Sequence, residues 1–311
     1  MNKRMVLMTL VLGLWIVTGC STPPTPTPVP PTPVPPTVAP KPTDVPKPTV
    51  APAPTAAPKP TDAPKPTVAP AAVSKPTDAP KETGVTLTWI GHSTFVLKTS
   101  AGFTALLDPI NAAVGYALPA SIPGVDAVTM THEHADHNNV ALAAGSPQLL
   151  RGLAGNDWAK IDQTIKGVRI RTANTYHDAT QGSERGKNAV FVFEADGLKL
   201  AHLGDLGHKL DAEQIKAIGA VDVILIPVGG FFTVDGKTAA EVVGQLNPKI
   251  VVPMHYKTPD LGASLAGRLA DAEGFLAALG SSAKVERVEK TIPLAASKLP
   301  ATRTVMIMNY K

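Results

Sequence analysis

Proline determines where this chain can fold. Of the 32 prolines in 311 residues, 22 fall within residues 21–83, among Thr, Ala, Val and Lys, and the unit KPTDAPKPTVAP recurs there with small variations. Proline fixes φ and lacks a backbone N–H, and the segment has too few large apolar residues to bury a core. The composition therefore predicts a disordered, semi-rigid stalk over residues 21–83 with polyproline II character. A folded domain is expected over residues 84–311, a length that can bury a substantial core.

A short apolar segment precedes the stalk. Lys3 and Arg4 are followed by an apolar run over residues 5–17, which is too short for a transmembrane helix and typical of a secretory signal peptide. The run ends in VTGC, which resembles the lipobox of bacterial lipoproteins, and Cys20 is the only cysteine in the chain. We expect residues 1–20 to be a lipoprotein signal and Cys20 to carry a lipid (palmitate) that anchors the protein to the outer face of the cell membrane. A plain signal peptide with an incidental cysteine is the alternative.

The positive charge lies outside the expected domain. The formal net charge of +4 is contained in residues 1–83, and residues 84–311 hold equal numbers of basic and acidic residues. Nucleic-acid binding needs a basic face on the folded part of a protein, so no nucleic-acid partner is expected. The expected partners are a small-molecule substrate and, through Cys20, the membrane.

Apolar runs in the domain fall into two groups. The first group reads as successive strands, at residues 85–99, 103–109, 127–132, 168–177, 189–195 and 198–204; Asp196-Gly197 predicts a hairpin between the last two. The second group alternates helix and strand, with helices at 211–220, 238–248 and a longer stretch at 263–280, and strands at 221–230, 249–256, 284–289 and 304–309. This order predicts two sheets with helices outside them.

Polar residues follow four of these apolar runs directly. His132 begins HEHADH after VDAVTMT, His177 follows VRIRTANTY, Asp205 follows LKLAHLG, and His255 follows IVVPM. Strand ends and the loops after them can direct side chains towards one point. The seven nitrogen and oxygen donors gathered in this way exceed the four of a tetrahedral zinc site and suit two metal ions that share a carboxylate. They are His132, His134, Asp136, His137, His177, Asp205 and His255.

Each of these residues also has a structural alternative. His255 alone would more often be a core or loop histidine, and Asp205 could cap the helix that follows it. Asp108 in LLDP is predicted to accept a hydrogen bond from a ligand histidine, with a simple turn aspartate as the alternative. His92 and His202 could line the pocket as proton donors or be buried structural histidines.

Several motifs together resemble a known superfamily. THEHADH matches the HxHxDH signature of the metallo-β-lactamase superfamily, and the downstream ligands stand in the order that the superfamily uses. The stretches WIGHSTFVL, LLDP, LAHLGDLGH, LIPVGGFFT and VVPMHYK are similar to a branch that contains L-ascorbate-6-phosphate lactonase and many metal-dependent hydrolases. The resemblance covers residues 85–311. It implies an α/β fold, an αββα sandwich with the site at one edge of the two sheets. It also implies one metal held by His132, His134 and His177, a second held by Asp136, His137 and His255, and Asp205 bridging both.

The expected activity is metal-dependent hydrolysis outside the cytoplasm. Two divalent ions, Zn²⁺ with Mn²⁺ or Fe as alternatives, would activate a water for attack on an ester, lactone, amide or phosphodiester bond. Asp136 and Asp205 are the candidate catalytic carboxylates, and His92 and His202 the candidate proton donors. A metal-binding surface lipoprotein without catalysis is the alternative. The adjacent Phe231 and Phe232 could form a pocket wall or pack in the core.

Overall fold

The computed structural model describes residues 83–311, so the predicted signal peptide, Cys20 and nearly all of the predicted stalk lie outside the described residues. Its strands are, in chain order, β1 (Val85–Gly91), β2 (Thr94–Thr99), β3 (Thr104–Leu107), β4 (Ala127–Met130), β5 (Gln148–Arg151), β6 (Leu153–Ala154), β7 (Asp157–Trp158), β8 (Asp162–Ile165), β9 (Val168–Tyr176), β10 (Lys187–Ala195), β11 (Leu198–His202), β12 (Val223–Pro227), β13 (Ile250–Met254), β14 (Lys284–Val288), β15 (Thr291–Leu294) and β16 (Thr304–Met308). The α-helices are α1 (Ala212–Ile218), α2 (Gly236–Leu246), α3 (Ala263–Ala266) and α4 (Glu273–Leu279).

These strands form two large mixed sheets and one small ribbon. The first sheet has six strands in the order β15-β1-β2-β3-β4-β5, and the second has eight in the order β14-β16-β13-β12-β11-β10-β9-β8; β6 pairs with β7. In the second sheet β9, β10 and β11 are antiparallel neighbours, and β11, β12 and β13 are parallel neighbours. Strands β9, β11 and β13 therefore run in the same direction and end at the same edge of the sheet.

The main core extends from the space between the two sheets to the helices that pack on the second sheet. Alternate residues of the first sheet, such as Phe95 and Leu97 on β2, join Phe191 and Phe193 of the second sheet in one buried cluster. The intervening residues, such as Val96, face the other side of the first sheet and form a smaller cluster there with loop residues. A period of two along a strand is what places successive side chains on opposite faces. The predicted packing of two sheets is confirmed.

Helices cover the outer side of the second sheet. Asp211 caps α1 by accepting a hydrogen bond from the Gln214 N–H, and the Asp211 N–H donates to the Gln214 side-chain oxygen. Strand β12 is buried along its whole length, and the apolar residues of α2 belong to the main core. The predicted hairpin also forms, with Asp196 and Gly197 both at positive φ between β10 and β11.

Two regions differ from the expected secondary structure. The single helical stretch expected at 263–280 is wrong, because it forms the separate helices α3 and α4. Between them Ala270 donates its N–H to the carbonyl of Gly229 and accepts from the Lys257 N–H, so tertiary hydrogen bonds replace helical ones. The segment between His132 and β9 contains four short strands, β5 to β8, that the sequence did not indicate. Within residues 83–311 no helix is long and apolar enough to cross a membrane.

Candidate metal centre

The first group of donors contains three histidines. His132 and His134 follow β4, and His177 follows β9, so both sheets contribute. The Nε2 of His132 lies 3.1 Å from the Nδ1 of His134, and one donor atom from each of the three rings lies within 4.8 Å of the others. His132 and His177 are buried, whereas His134 is exposed. This trio is the set that the sequence assigned to one metal ion.

The second group combines histidines with a carboxylate. Donor atoms of Asp136, His137 and His255, and also of His92, lie within 4.8 Å of one another. The Nε2 of His92 donates to Asp136 Oδ2 over 3.3 Å, and the rings of His92 and His255 lie with centroids 3.9 Å apart. His92 therefore adds a fourth possible metal ligand to the three residues that the sequence assigned to the second metal ion.

Asp205 lies between the two groups. It follows β11 and is 2% exposed. Its Oδ2 is close to the Nε2 atoms of four histidines drawn from both groups: His177 at 3.2 Å, His137 at 3.3 Å, His255 at 3.4 Å and His132 at 3.8 Å. The structure thus brings all seven predicted ligands together, with the predicted bridging residue in the middle.

A buried carboxylate orients two of the histidines. Asp108 accepts hydrogen bonds from the Thr131 N–H at 2.8 Å, the Thr131 hydroxyl at 2.6 Å and His137 Nδ1 at 2.8 Å. The Thr131 hydroxyl in turn lies 3.0 Å from His132 Nδ1. These contacts hold the Nδ1 sides of both rings and leave the Nε2 atoms directed at Asp205, as a metal ligand requires. This geometry matches the role predicted for Asp108.

The backbone of Asp205 is also fixed. Its N–H donates to the carboxamide oxygen of Asn188 at 3.0 Å, and the Asn188 amide donates to the Thr175 hydroxyl and to the Leu203 carbonyl. Gly204 has φ +56°, and a side chain there would collide with the Asn188 carboxamide. Asn188 was not among the predicted site residues; its only sequence signal is a polar residue just before the apolar run of β10.

The two candidate proton donors lie in different surroundings. His92 is fully buried, and burial together with nearby His255 lowers its pKa to about 4. His202 donates from Nε2 to the Ser93 carbonyl at 2.9 Å and accepts the Gly204 N–H at Nδ1. Both nitrogens of His202 therefore contact backbone groups, which fits its structural alternative, and its role as a catalytic proton donor stays a prediction.

Charges in the centre are strongly coupled. Burial lowers the pKa of His132 well below its ordinary value, and His137 adds to that effect. Burial would raise the pKa of Asp205, but His137 and His255 hold it well below its usual range. Burial would likewise lower the pKa of His137, but the Asp205 and Asp108 carboxylates raise it well above 6.5. His137 and Asp205 thus favour each other's charged forms, and a bound cation would balance the same carboxylate.

The donor set fits divalent transition metals. Among residues 83–311, the buried atoms without a hydrogen-bond partner include His137 Nε2 and Asp205 Oδ1. Buried polar atoms normally have partners, and a metal ion is one explanation for those that do not. Imidazole nitrogens and carboxylate oxygens without thiolate suit zinc, manganese or iron. His132, His134 and His177, and then Asp136, His137 and His255, are the residues that would hold ions on either side of Asp205.

A cavity of about 490 Å³ opens onto these residues. Five of the predicted ligands line it, and the remaining wall is mostly apolar, with Val114, Phe232 and Leu265 among its residues. Cavities of this size hold small molecules. Phe232 therefore belongs to the pocket wall, which is one of the two alternatives predicted for it. Phe231 is 54% exposed and lies outside the core.

A loop beside the cavity was not among the predicted features of the site. Directly after His177, the Asp178 carboxylate accepts hydrogen bonds from four backbone N–H groups, those of Thr180, Gly182, Glu184 and Arg185, and from the Thr180 hydroxyl. The available signal was an aspartate followed by Thr, Gly and Ser, which is typical of a side-chain-closed turn. The loop places Glu184 and Arg185 in the cavity wall.

Comparison with known proteins agrees with this geometry. Residues 86–255 match the Beta-lactamase superfamily domain, so the chain belongs to the metallo-β-lactamase superfamily. Within it, the chain belongs with the UPF0173 metal-dependent hydrolases. It is 30% identical over 226 residues to one from Pyrococcus furiosus, covering 65% of this chain and 95% of the relative, and 33% identical over 240 residues to one from Anaeromyxobacter dehalogenans, covering 67% and 85%.

Solved structures give the same fold. A metallo-β-lactamase superfamily protein from Thermotoga maritima superposes with a TM-score of 0.57 at 36% identity, covering 72% of this chain and 98% of the other. The predicted α/β sandwich and the assignment to metal-dependent hydrolases are confirmed. The ligand roles of individual residues and the narrower similarity to L-ascorbate-6-phosphate lactonase stay predictions.

Proposed function

We propose that this metal-dependent hydrolase works with two divalent ions, zinc being the preferred metal, and cleaves an ester, lactone, amide or phosphodiester bond in a small molecule. The position of Asp205 carries the proposal. One carboxylate oxygen lies 3.2–3.8 Å from histidines of two separate donor groups, which is the arrangement that a bridging ligand needs. A site for a single ion would leave one of the two groups buried and unused.

The residues around the cavity support hydrolysis. When bound, divalent ions supply a water of lowered pKa and polarise the oxygen of the bond under attack. Asp136 reaches the cavity with a carboxylate whose orientation is set by the buried His92, and it can accept the proton of an attacking water. His134 is the exposed histidine of its group and borders the same space, where a leaving group would depart.

The test combines zinc content with hydrolysis. Wild type is expected to bind two zinc ions per chain, and His134→Ala and Asp136→Ala about one each, because each change removes a donor from one group only. Both variants should lose hydrolysis of whichever model ester, lactone or bis(4-nitrophenyl) phosphate the wild type cleaves. His208→Ala is the matched control, since that histidine accepts the Tyr176 N–H outside the two groups. Wild type with one zinc, or equal rates in all four proteins, contradicts the proposal.

We also propose that the domain is held outside the cytoplasm by a lipid on Cys20. The lipobox-like VTGC, the unique cysteine and the proline-rich stretch of residues 21–83 support this location. Radiolabelled palmitate should be incorporated into wild type and not into Cys20→Ser, and only wild type should fractionate with membranes. Equal membrane association of both proteins would contradict lipid anchoring.

A further inference from the structure

The residue before Phe232 of the cavity wall has an unusual conformation. Phe231 is 54% exposed and has φ +56°, a conformation that is costly for a large side chain. Such strain is kept where the surrounding structure imposes it, often at a functional site. The turn is built on Gly230, whose carbonyl accepts the Phe232 N–H at 2.7 Å, and it turns Phe232 into the cavity wall.

Arg185 connects this turn to the metal centre. Its Nη2 donates to the Phe231 carbonyl at 2.9 Å, and its guanidinium carbon lies 5.6 Å from the Phe232 ring centroid. Its own backbone N–H donates to Asp178 Oδ2 at 2.7 Å, in the loop that starts at His177. Arg185 is therefore held through its backbone N–H and through its guanidinium. These two contacts fix its position relative to the predicted ligand His177.

Most N–H donors of the Arg185 guanidinium have no hydrogen-bond partner among residues 83–311. An arginine carries five N–H donors in a planar fork. Among residues 83–311, Arg185 forms one side-chain hydrogen bond, to the Phe231 carbonyl, and no ion pair with a carboxylate. Arg169, by contrast, donates from two nitrogens of its guanidinium to the Asp162 carboxylate. The unused donors of Arg185 match the planar pair of oxygens of an oxyanion.

Arg185 also lies where two cavities meet. It lines the mostly apolar cavity described above and a second, more polar cavity of about 390 Å³, which includes Asn156 and Gln181. His134 is shared by the same two cavities. A molecule bound across His134 would thus have Arg185 beside it, with an apolar wall on one side.

We propose that Arg185 is a specificity-determining residue that binds an oxyanionic group of the substrate, while Val114, Phe232 and Leu265 contact an apolar part of it. The substrate class is then a small amphipathic anion with its hydrolysable bond near His134. This inference rests on the proposed hydrolytic function. Glu184 lines the same wall, but it is exposed, and its carboxylate lies 3.3 Å from the Thr180 hydroxyl of its own loop.

A binding experiment tests the inference without relying on turnover. Hexane-1-sulfonate and hexan-1-ol are titrated into the zinc-loaded protein and followed by ligand-observed NMR; a sulfonate is a weak zinc ligand, so its binding reports on the arginine. Arg185→Gln is expected to weaken sulfonate binding about tenfold, the scale of one charge-assisted hydrogen bond, and to change hexanol binding much less. Arg185→Lys, which keeps the charge and loses the fork, should fall between. A thermal melt of each variant checks folding.

Arg268→Gln is the matched control. The guanidinium carbon of Arg268 lies 5.1 Å from the Phe231 ring centroid, but Arg268 does not line the cavity. It should bind the sulfonate as wild type does. Equal affinity in wild type and Arg185→Gln, an equal loss in Arg268→Gln, or no saturable sulfonate binding to wild type overturns the inference.

Kinetics separate this inference from the proposed function. Mono-4-nitrophenyl glutarate and 4-nitrophenyl valerate have similar chains and differ in a terminal carboxylate. Arg185→Gln should raise KM for the glutarate about tenfold more than for the valerate, with kcat affected alike. Zinc-dependent hydrolysis that ignores this charge would refute the role of Arg185 and leave the function intact. Sulfonate binding that depends on Arg185, without hydrolysis of any model substrate, would refute the proposed function and leave the role of Arg185 in anion binding intact.

Discussion

The Asp108→Asn variant tests how the centre is held. Asp108 is fully buried and accepts three hydrogen bonds at 2.6–2.8 Å. An asparagine of the same shape keeps one oxygen, which can still accept the Thr131 N–H. Its NH₂ group can donate to the Thr131 hydroxyl but cannot accept from His137. The His137 ring then loses the contact that fixes its Nδ1 proton and its orientation.

The expected loss can be sized from this contact. Removing an acceptor behind a ligand histidine typically costs about 10- to 100-fold in metal affinity, or roughly 1.4–2.7 kcal/mol. The loss should fall mainly on the ion held by His137 and its group. The ion held by His132 should be affected less, because Asp108 reaches that ring only through the Thr131 hydroxyl, which is 3.0 Å from His132 Nδ1.

Zinc competition against a chromophoric chelator at fixed pH measures both affinities. Asp126→Asn is the control, because Asp126 also accepts a backbone N–H, from Thr104, but pairs with Lys166 away from the centre. Two unchanged zinc affinities in a folded Asp108→Asn protein would refute the reasoning. So would an equal loss in the control variant.

Three further changes have defined outcomes. Burial would raise the pKa of Asp178, but its backbone N–H donors hold it below the usual range. Asp178→Ala should therefore lower the free energy of unfolding, measured in urea near pH 7, by about 1–3 kcal/mol. The difference from wild type should shrink as the pH falls below 4, because the wild-type carboxylate is then protonated. Burial raises the pKa of the Tyr116 hydroxyl to about 12, whereas its ordinary value is 10.0. Between these pH values the folded protein keeps a proton that the unfolded chain has lost, so the free energy of unfolding falls as the pH rises. Tyr116→Phe loses the hydrogen bond to Thr258, costs about 1 kcal/mol at neutral pH, and should show a shallower alkaline decline in the same assay. Gly204→Ala places a methyl group against the Asn188 carboxamide and should lower stability by about 2 kcal/mol or more in thermal unfolding with and without zinc.

The position of the centre could be predicted because local patterns carry it. Each apolar run that ends in a predicted ligand forms a strand, and β9, β11 and β13 run in the same direction. Ligands placed after parallel strands meet at one edge whatever the loops between them do. His177, Asp205 and His255 could therefore be assigned to one site from the sequence.

Other features depend on contacts that no local pattern carries. The turn closed by Asp178 is local, but Arg185 lies at the cavity because its guanidinium donates to the carbonyl of Phe231, which is far away in the sequence. The helical pattern of residues 263–280 is interrupted because Ala270 bonds to Gly229 and Lys257 instead of to its own turn. In both cases long-range hydrogen bonds decide the structure, and the local sequence cannot show them.

The two donor groups have a consequence for the lifetime of the protein. Residues 84–311 contain no cysteine, so no disulfide can restrain this domain. His137 follows a strand of the first sheet and His255 a strand of the second, more than a hundred residues later. An ion bound by both would join the two halves of the sandwich, and because the ligands meet only in the fold, it would stabilise the folded state by binding it and not the unfolded chain. Resistance to proteolysis would then rise and fall with the metal supply around the protein.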